Sequence, residues 1–259
     1  MLNTYTSYKL ISKDIVKSIE RVEQQPTVER DTKYYLENIK NVKSIDDLMK
    51  DERLYRYAMK AHGLEDMSYA KAFMKKALKE GIQDTDSFAN KLSDKRYFEF
   101  VNTFNFELLG EATTSFARAQ QGTVDKYLRQ TLEQDAGKQN EGVRLALYFE
   151  RKASSLANFY QVLADPALAQ VVRTSLGLPD SFASADIDKQ VQLFESRIEL
   201  DDLKKPEGLS KFLTRFTSLW EISNPTQTPQ TQLSILFSQP TTIGISTDLL
   251  MTMQSLRKF

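Results

Sequence analysis

The chain resembles itself at a spacing of 114 residues, so that residues 34–64 align with residues 148–178 without a gap. The identical pairs are Tyr34/Tyr148, Asp51/Asp165, Leu54/Leu168, Gly63/Gly177 and Leu64/Leu178. A second block aligns at a spacing of 112 residues, and there Phe100 pairs with Phe212 and Phe104 with Phe216. An internal repeat constrains a fold strongly, because both copies are expected to form the same structural unit. We therefore predict two tandem, related halves packed into one body.

The positions kept between the halves are those that start and stop a helix. Asp51 and Asp165 are placed to accept hydrogen bonds from the first free backbone amides of a helix. Gly63 and Gly177, each followed by leucine, are typical of a helix that ends in the left-handed conformation with an apolar contact back onto its last turn. Each half is thus predicted to contain the same helix, with the same start and the same stop.

Composition supports an all-α fold. Nine glycines and seven prolines among 259 residues are fewer than a fold rich in tight turns requires. The domain prediction assigns an N-terminal helix or mobile segment to 1–27, helical repeat 1 to 28–122, a connecting helix to 123–142, helical repeat 2 to 143–222, and a polar linker with a C-terminal helix to 223–259.

The predicted core consists of apolar residues at helical spacing in both halves, together with the recurring phenylalanines. Its members are Leu54, Ala58, Phe73, Phe100, Phe104, Leu168, Val172, Phe194, Phe212 and Phe216. Phe100 and Phe104 lie among further aromatic residues that could stack on bases, but their spacing of four residues is one helix face. We interpret the pair as core.

Few residues in the chain have the pattern of catalytic or ligand-binding chemistry. Cysteine is absent, and His62 is the only histidine, so thiolate sites and two-histidine metal sites are excluded. His62 precedes Gly63, where a cationic side chain suits the negative end of a helix dipole, and we interpret it as a cap. The carboxylates Asp46, Asp47, Asp51 and Glu52, and the pair Asp201 and Asp202, lie beside lysines and arginines and are interpreted as caps and solvated faces. No catalytic, cofactor-binding or metal-binding residue is predicted, and no cofactor.

The net charge and the hydropathy of the chain limit which partners and which location are expected. Thirty-five basic residues balance 35 acidic ones, which gives no electrostatic basis for nucleic-acid binding. No apolar run is long enough to cross a membrane, and the N-terminus lacks the pattern of a signal peptide, so a cytoplasmic location is expected.

Both ends of the chain carry an apolar stripe at helical spacing. The stripes consist of Ile11, Ile15, Ser18 and Val22 at one end and of Ile245, Leu249, Met253 and Leu256 at the other. Residues 1–25 and 233–259 are predicted to form an interaction surface, with the stripes packing on each other or on a partner.

Three sequence runs carry a family resemblance: HGLEDMSYAKAFMKKALKEG from His62, DSFANKLSDKRYFEFVNTFNF from Asp86 and QNEGVRLALYFERKA from Gln139. They resemble the bacterial family called domain of unknown function 1217 (DUF1217), and the resemblance extends over most of residues 28–220. Members look like alphaproteobacterial proteins whose genes lie among flagellar genes. The resemblance therefore implies a link with flagellar assembly, export or motility, and it supplies no catalytic residues.

Two functions from different classes follow. The first is a non-enzymatic helical interaction protein of the flagellar system, whose partner is a protein and which either stays in the cytoplasm or leaves through the flagellar apparatus. The alternative is an enzyme with an acidic or Tyr/Arg site between the two halves. The sequence leaves the oligomeric state open.

Overall fold

Every regular element in residues 2–225, the part of the chain that the computed structural model describes, is a helix. The α-helices are α1 Thr4–Ser12, α2 Ile15–Glu23, α3 Pro26–Asn38, α4 Ile45–Lys50, α5 Glu52–Ala61, α6 Lys71–Glu80, α7 Phe88–Lys91, α8 Lys95–Thr103, α9 Phe106–Leu109, α10 Gln121–Gln139, α11 Glu141–Lys152, α12 Phe159–Ala164, α13 Pro166–Leu176, α14 Ile187–Arg197, α15 Leu200–Leu203 and α16 Pro206–Ser223. The predicted all-α fold is confirmed. The predictions for the linker beyond residue 225 and for the C-terminal stripe lie outside the described residues.

The helices enclose two apolar clusters. The first extends along the chain from Val22 to Leu132 and includes the inward faces of α3, α5, α8 and α10. The second extends from Val143 to Trp220 and also includes Tyr8 of α1. The long helix α10 packs against α5 on one side and α11 on the other, so α10 and α11 join the two clusters.

Eight of the ten predicted core residues are buried, and Phe73 and Phe212 are only half-buried. For those two the prediction is wrong, because helix spacing fixes which face a residue occupies and leaves open how far the neighbours cover it. Phe73 lies beside the rings of Phe88 and Tyr97 at the rim of the first cluster, with ring centroids 4.8 and 5.2 Å away. Phe212 lies beside Phe149, 5.1 Å away.

The helix starts at Asp51 and Asp165 have the same local structure. One oxygen of Asp51 accepts from the backbone amides of Arg53 and Leu54, both at 3.0 Å. The matching oxygen of Asp165 accepts from the second and third residues after it, at 2.9 and 3.2 Å. In each case the other carboxylate oxygen accepts from the tyrosine 17 residues upstream, Tyr34 or Tyr148. The four residues conserved at the 114-residue spacing thus form one recurring cap, while duplication of the whole half stays a prediction.

The helix ends at Gly63 and Gly177 also agree. The two glycines have φ of 70° and 68°, in the left-handed region. Leu64 N–H donates to Met59 C=O at 2.8 Å, and Leu178 N–H donates to Arg173 C=O at 3.0 Å, which is the bond pattern of a glycine-terminated helix. Leu64 is fully buried as predicted, whereas Leu178 is half-buried.

Gly63→Ala and Gly177→Ala should each lower the free energy of unfolding by about 1 kcal/mol, because a residue with a Cβ resists the left-handed region. A Cβ at Gly63 would come no closer than 3.6 Å to another side chain, and one at Gly177 would meet nothing within 4 Å, so the cost arises from the backbone alone. Chemical denaturation measures the free energy of unfolding of both variants. Asparagine at either position should cost less than alanine, and equal stability of Gly177→Ala and the natural protein would contradict this account.

Candidate functional site

The N-terminal helices α1 and α2 lie across both halves of the protein. Tyr8 is buried in the second cluster and Val22 in the first. The backbone amide of Thr4 donates to Glu221 Oε2 at 2.8 Å, and the Thr4 hydroxyl accepts from the Asn140 side chain at 2.9 Å. Of the two alternatives predicted for the N-terminal segment, residues 4–12 and 15–23 form the helix, and their apolar stripe and polar groups have partners within the chain.

The same two helices also carry apolar side chains that face away from the body. Leu10 on α1 and Val16 on α2 are 63% and 64% exposed. Leu2, just before α1, is 55% exposed, and Ile222 at the end of α16 is 77% exposed. We call these four residues the outer apolar set. Leu2 and Ile222 lie at the same end of the α1/α16 pair, since Thr4 is bonded to Glu221. Contiguous exposed apolar surface marks interaction sites on folded proteins, and the outer apolar set is the candidate for such a surface here.

His62 caps α5 as predicted, but it does so without a charge. Its Nδ1 lies 2.9 Å from the carbonyl oxygen of Ala58, and its Nε2 lies 3.1 Å from both Thr103 Oγ1 and Lys126 Nζ. Burial, and secondarily the charge of Lys126, lower the pKa of His62 to about 3. The expected cationic histidine is therefore wrong: the neutral ring donates to the helix carbonyl and accepts from the Lys126 ammonium.

His62 should make the protein lose stability as the pH falls below about 6.5. Its pKa is depressed in the folded state, so the unfolded chain takes up a proton between pH 6.5 and about 3 that the folded chain does not. Over that range the free energy of unfolding should fall by up to about 1.4 kcal/mol per pH unit from this group. His62→Gln should lack this part of the pH dependence, and denaturant melts at a series of pH values compare the two. Parallel curves between about pH 7 and 4.5 would contradict a neutral, buried His62.

The carboxylates singled out in the sequence act as caps and surface ion pairs. Asp46 is bonded to Lys75, Glu52 to Lys71 at 2.6 Å, and Asp201 and Asp202 to Lys204 and Lys205. Hydrogen bonds from Ser44 and from the backbone of Lys43 hold the pKa of Asp47 below its usual value. These positions confirm the interpretation as caps and solvated faces.

The aromatic pair Phe100 and Phe104 is core, as interpreted. Both rings are fully buried with centroids 5.1 Å apart, and each meets the His62 ring at a steep angle. Neither ring offers a face to a ligand.

A buried polar cluster joins the two halves, and it could hardly be predicted from the sequence. The carboxylate of Glu133 on α10 accepts from Arg129 at 3.0 Å and from two nitrogens of Arg151 at 2.8 Å each. Arg151 on α11 also lies over the ring of Tyr148, 5.1 Å from its centroid. This is where a Tyr/Arg site between the halves would fall, and here the charged groups pair with one another. The four-residue spacing of Arg129 and Glu133 was the one available signal.

Residues 2–225 contain neither a membrane-spanning helix nor a cluster of metal ligands. No helix among these residues is long and apolar enough to cross a membrane. No group of three or more His, Cys, Asp or Glu side chains in this part of the chain is arranged to hold a metal ion.

The fold and these contacts define a helical protein with two apolar clusters joined through α10 and α11. Residues 61–209, more than half of the chain, match the family described as "Protein of unknown function (DUF1217)", and the chain belongs to this family. It is similar to the crystal structure of a protein from Agrobacterium tumefaciens, with 57% sequence identity and a TM-score of 0.80 over 86% of this chain and 94% of that one. No curated protein matches the sequence.

Proposed function

We propose that this chain is a non-enzymatic interaction protein of the bacterial flagellar system, and that the outer apolar set binds a protein partner. The observation that carries the proposal is the exposure of Leu10, Val16 and Ile222 on helices whose opposite faces are already buried, together with the exposure of Leu2 just before α1. Such side chains are stabilised when a partner removes them from water.

The contacts of α1 support a rigid rather than an induced binding surface. Lys9 donates to Ser210 at 2.9 Å, and Thr4 is held by Glu221 and Asn140. A helix anchored in this way loses little conformational entropy on binding, which favours affinity. Because the chain has as many acidic as basic residues, apolar contact rather than charge is expected to provide the binding energy.

The flagellar part of the proposal rests on what the family resemblance implies, namely that members are encoded among flagellar genes. Action in the cytoplasm and export through the flagellar apparatus are both compatible with it. The partner is therefore sought among proteins that assemble, export or drive the flagellum.

The proposal is tested by capture of flagellar proteins on the purified, tagged full chain. Leu10→Ser combined with Val16→Ser should abolish capture while leaving the thermal melt unchanged, because both side chains face outward. Ile187→Ser is the matched control, since Ile187 is 58% exposed on α14 and outside the outer apolar set. Equal capture by the double variant and the natural chain would refute the proposed surface.

A further inference from the structure

A cleft of about 400 Å³ opens between α3, α5 and α10. None of the outer apolar set lines it, so it is separate from the proposed protein-binding surface. Its volume falls within the range of about 300 to 1,000 Å³ that is usual for small-molecule sites.

Helix α5 presents a row of cations to this cleft. Arg53, Arg56 and Lys60 are at positions i, i+3 and i+7, which share one helix face. Tyr57 lies between them, is buried, and stacks against Tyr127 of α10 with ring centroids 3.8 Å apart. The stacked rings form a rigid floor beneath the cations.

The acidic groups of the cleft already have partners. Asp31 is bonded to Arg53 at 3.0 Å, Asp135 to Lys138 at 2.7 Å, and Glu65 accepts from Gln134 at 3.2 Å.

Arg56 and Lys60 are not neutralised in this way. Neither side chain makes an ion pair or a hydrogen bond within the described part of the chain, although the charge of Lys60 also acts on the Asp135 carboxylate. The Lys60 ammonium lies over the Tyr127 ring, 4.9 Å from the centroid. Two cations therefore remain for a ligand.

Thr131 supplies an independent observation. It lines the cleft from α10 and is only 5% exposed. Its buried hydroxyl makes no hydrogen bond of normal geometry among residues 2–225, and its one polar neighbour of note is the Tyr127 hydroxyl, where it counteracts part of the rise in the pKa. Buried hydroxyls in folded proteins almost always have a partner. A buried hydroxyl without a hydrogen bond of normal geometry points to a polar group that comes from outside the protein.

The cations are also absent from the corresponding helix of the second half. At the 114-residue spacing, Ala167, Gln170 and Thr174 of α13 stand where α5 has Arg53, Arg56 and Lys60. The cap residues, in contrast, are identical in both halves. The helical unit can thus form without the cations, and they serve something particular to the first half.

We propose that this cleft binds a small molecule with a phosphate or carboxylate group, which Arg56 and Lys60 contact through its anionic oxygens and to which Thr131 donates a hydrogen bond. The carboxylates at the rim would repel an extended polyanion, so the ligand is small. Charge-assisted hydrogen bonds to the two cations would supply most of the affinity.

Calorimetric titration of the full chain with inorganic phosphate and, separately, with succinate tests the proposal at constant ionic strength. We expect one of the two to bind at concentrations below about 10 mM, and which one binds identifies the group as phosphate or carboxylate. Arg56→Gln and Lys60→Gln should each weaken binding about tenfold, as expected for the loss of a charge-assisted bond. Thr131→Val should weaken it several-fold while shifting the thermal midpoint by less than about 2 °C, because the hydroxyl it removes makes no hydrogen bond of normal geometry in the protein.

The matched control is Lys33→Gln, which makes the same change of charge on the exposed side of α3, away from the residues that line the cleft. Binding to this variant should stay within about twofold of the natural protein, since it changes no contact of the ligand. Failure of both anions to bind, or an equal loss in Lys33→Gln, would overturn the proposal. Either result would leave the protein-binding surface untouched, because that surface shares no residue with the cleft.

Discussion

Glu133→Ala should lower the free energy of unfolding by at least about 3 kcal/mol, because removal of one partner of a buried ion pair leaves an uncompensated charge. The Glu133 side chain is 2% exposed and is shared by Arg129 and Arg151. Without it, two guanidinium groups would face each other at the junction of α10 and α11. Chemical denaturation of the variant measures the loss.

A second variant at Glu133 separates the effect of charge from that of shape, and a variant at an exposed ion pair serves as the control. Glu133→Gln keeps the shape and loses the charge, so it should recover only part of the stability. Asp201→Asn is the control, because its ion pair with Lys204 is largely exposed and should contribute less than about 1 kcal/mol. A cost below about 1 kcal/mol for Glu133→Ala would show that the junction does not depend on this carboxylate.

Phe216→Ala should cost about 3 to 5 kcal/mol, the usual range for truncation of a fully buried aromatic side chain. Phe216 has no exposed surface, and its ring centroid lies 5.8 Å from that of Trp220 in the second cluster. The variant would leave a cavity beside α11 and α13, which pack against α16. Thermal and denaturant melts measure the loss.

Phe116→Ala is the matched control for this truncation. Phe116 is 45% exposed, so the same change there should cost less than about 1 kcal/mol. Similar losses in the two variants would contradict the assigned core.

The sequence predicted best what depends on neighbours along the chain. The caps at Asp51 and Asp165 and the stops at Gly63 and Gly177 follow from local hydrogen bonding and backbone sterics, and all four are present. Helix periodicity likewise identified most of the core, although it overestimated the burial of Phe73.

The sequence failed where the outcome depends on packing between distant helices. The docking of Tyr8 depends on a cluster formed by residues 143–220, more than 130 positions away. The charge of His62 depends on burial against Thr103 and Lys126 from two other helices. The role of the cations in the cleft could not be predicted from the sequence, because exposed arginines and lysines on a helix face usually have no partner but water.

We propose above that the outer apolar set binds a partner of the flagellar system. The most direct test of this proposal is flagellation of the host bacterium after deletion of the gene and complementation with the natural chain, with the Leu10→Ser/Val16→Ser chain, or with the Ile187→Ser control. The account predicts that flagellation or motility is impaired on deletion and restored by the natural chain and the control, but not by the double variant at equal protein levels. Normal flagellation and motility in the deletion strain, or full rescue by the double variant, would contradict it.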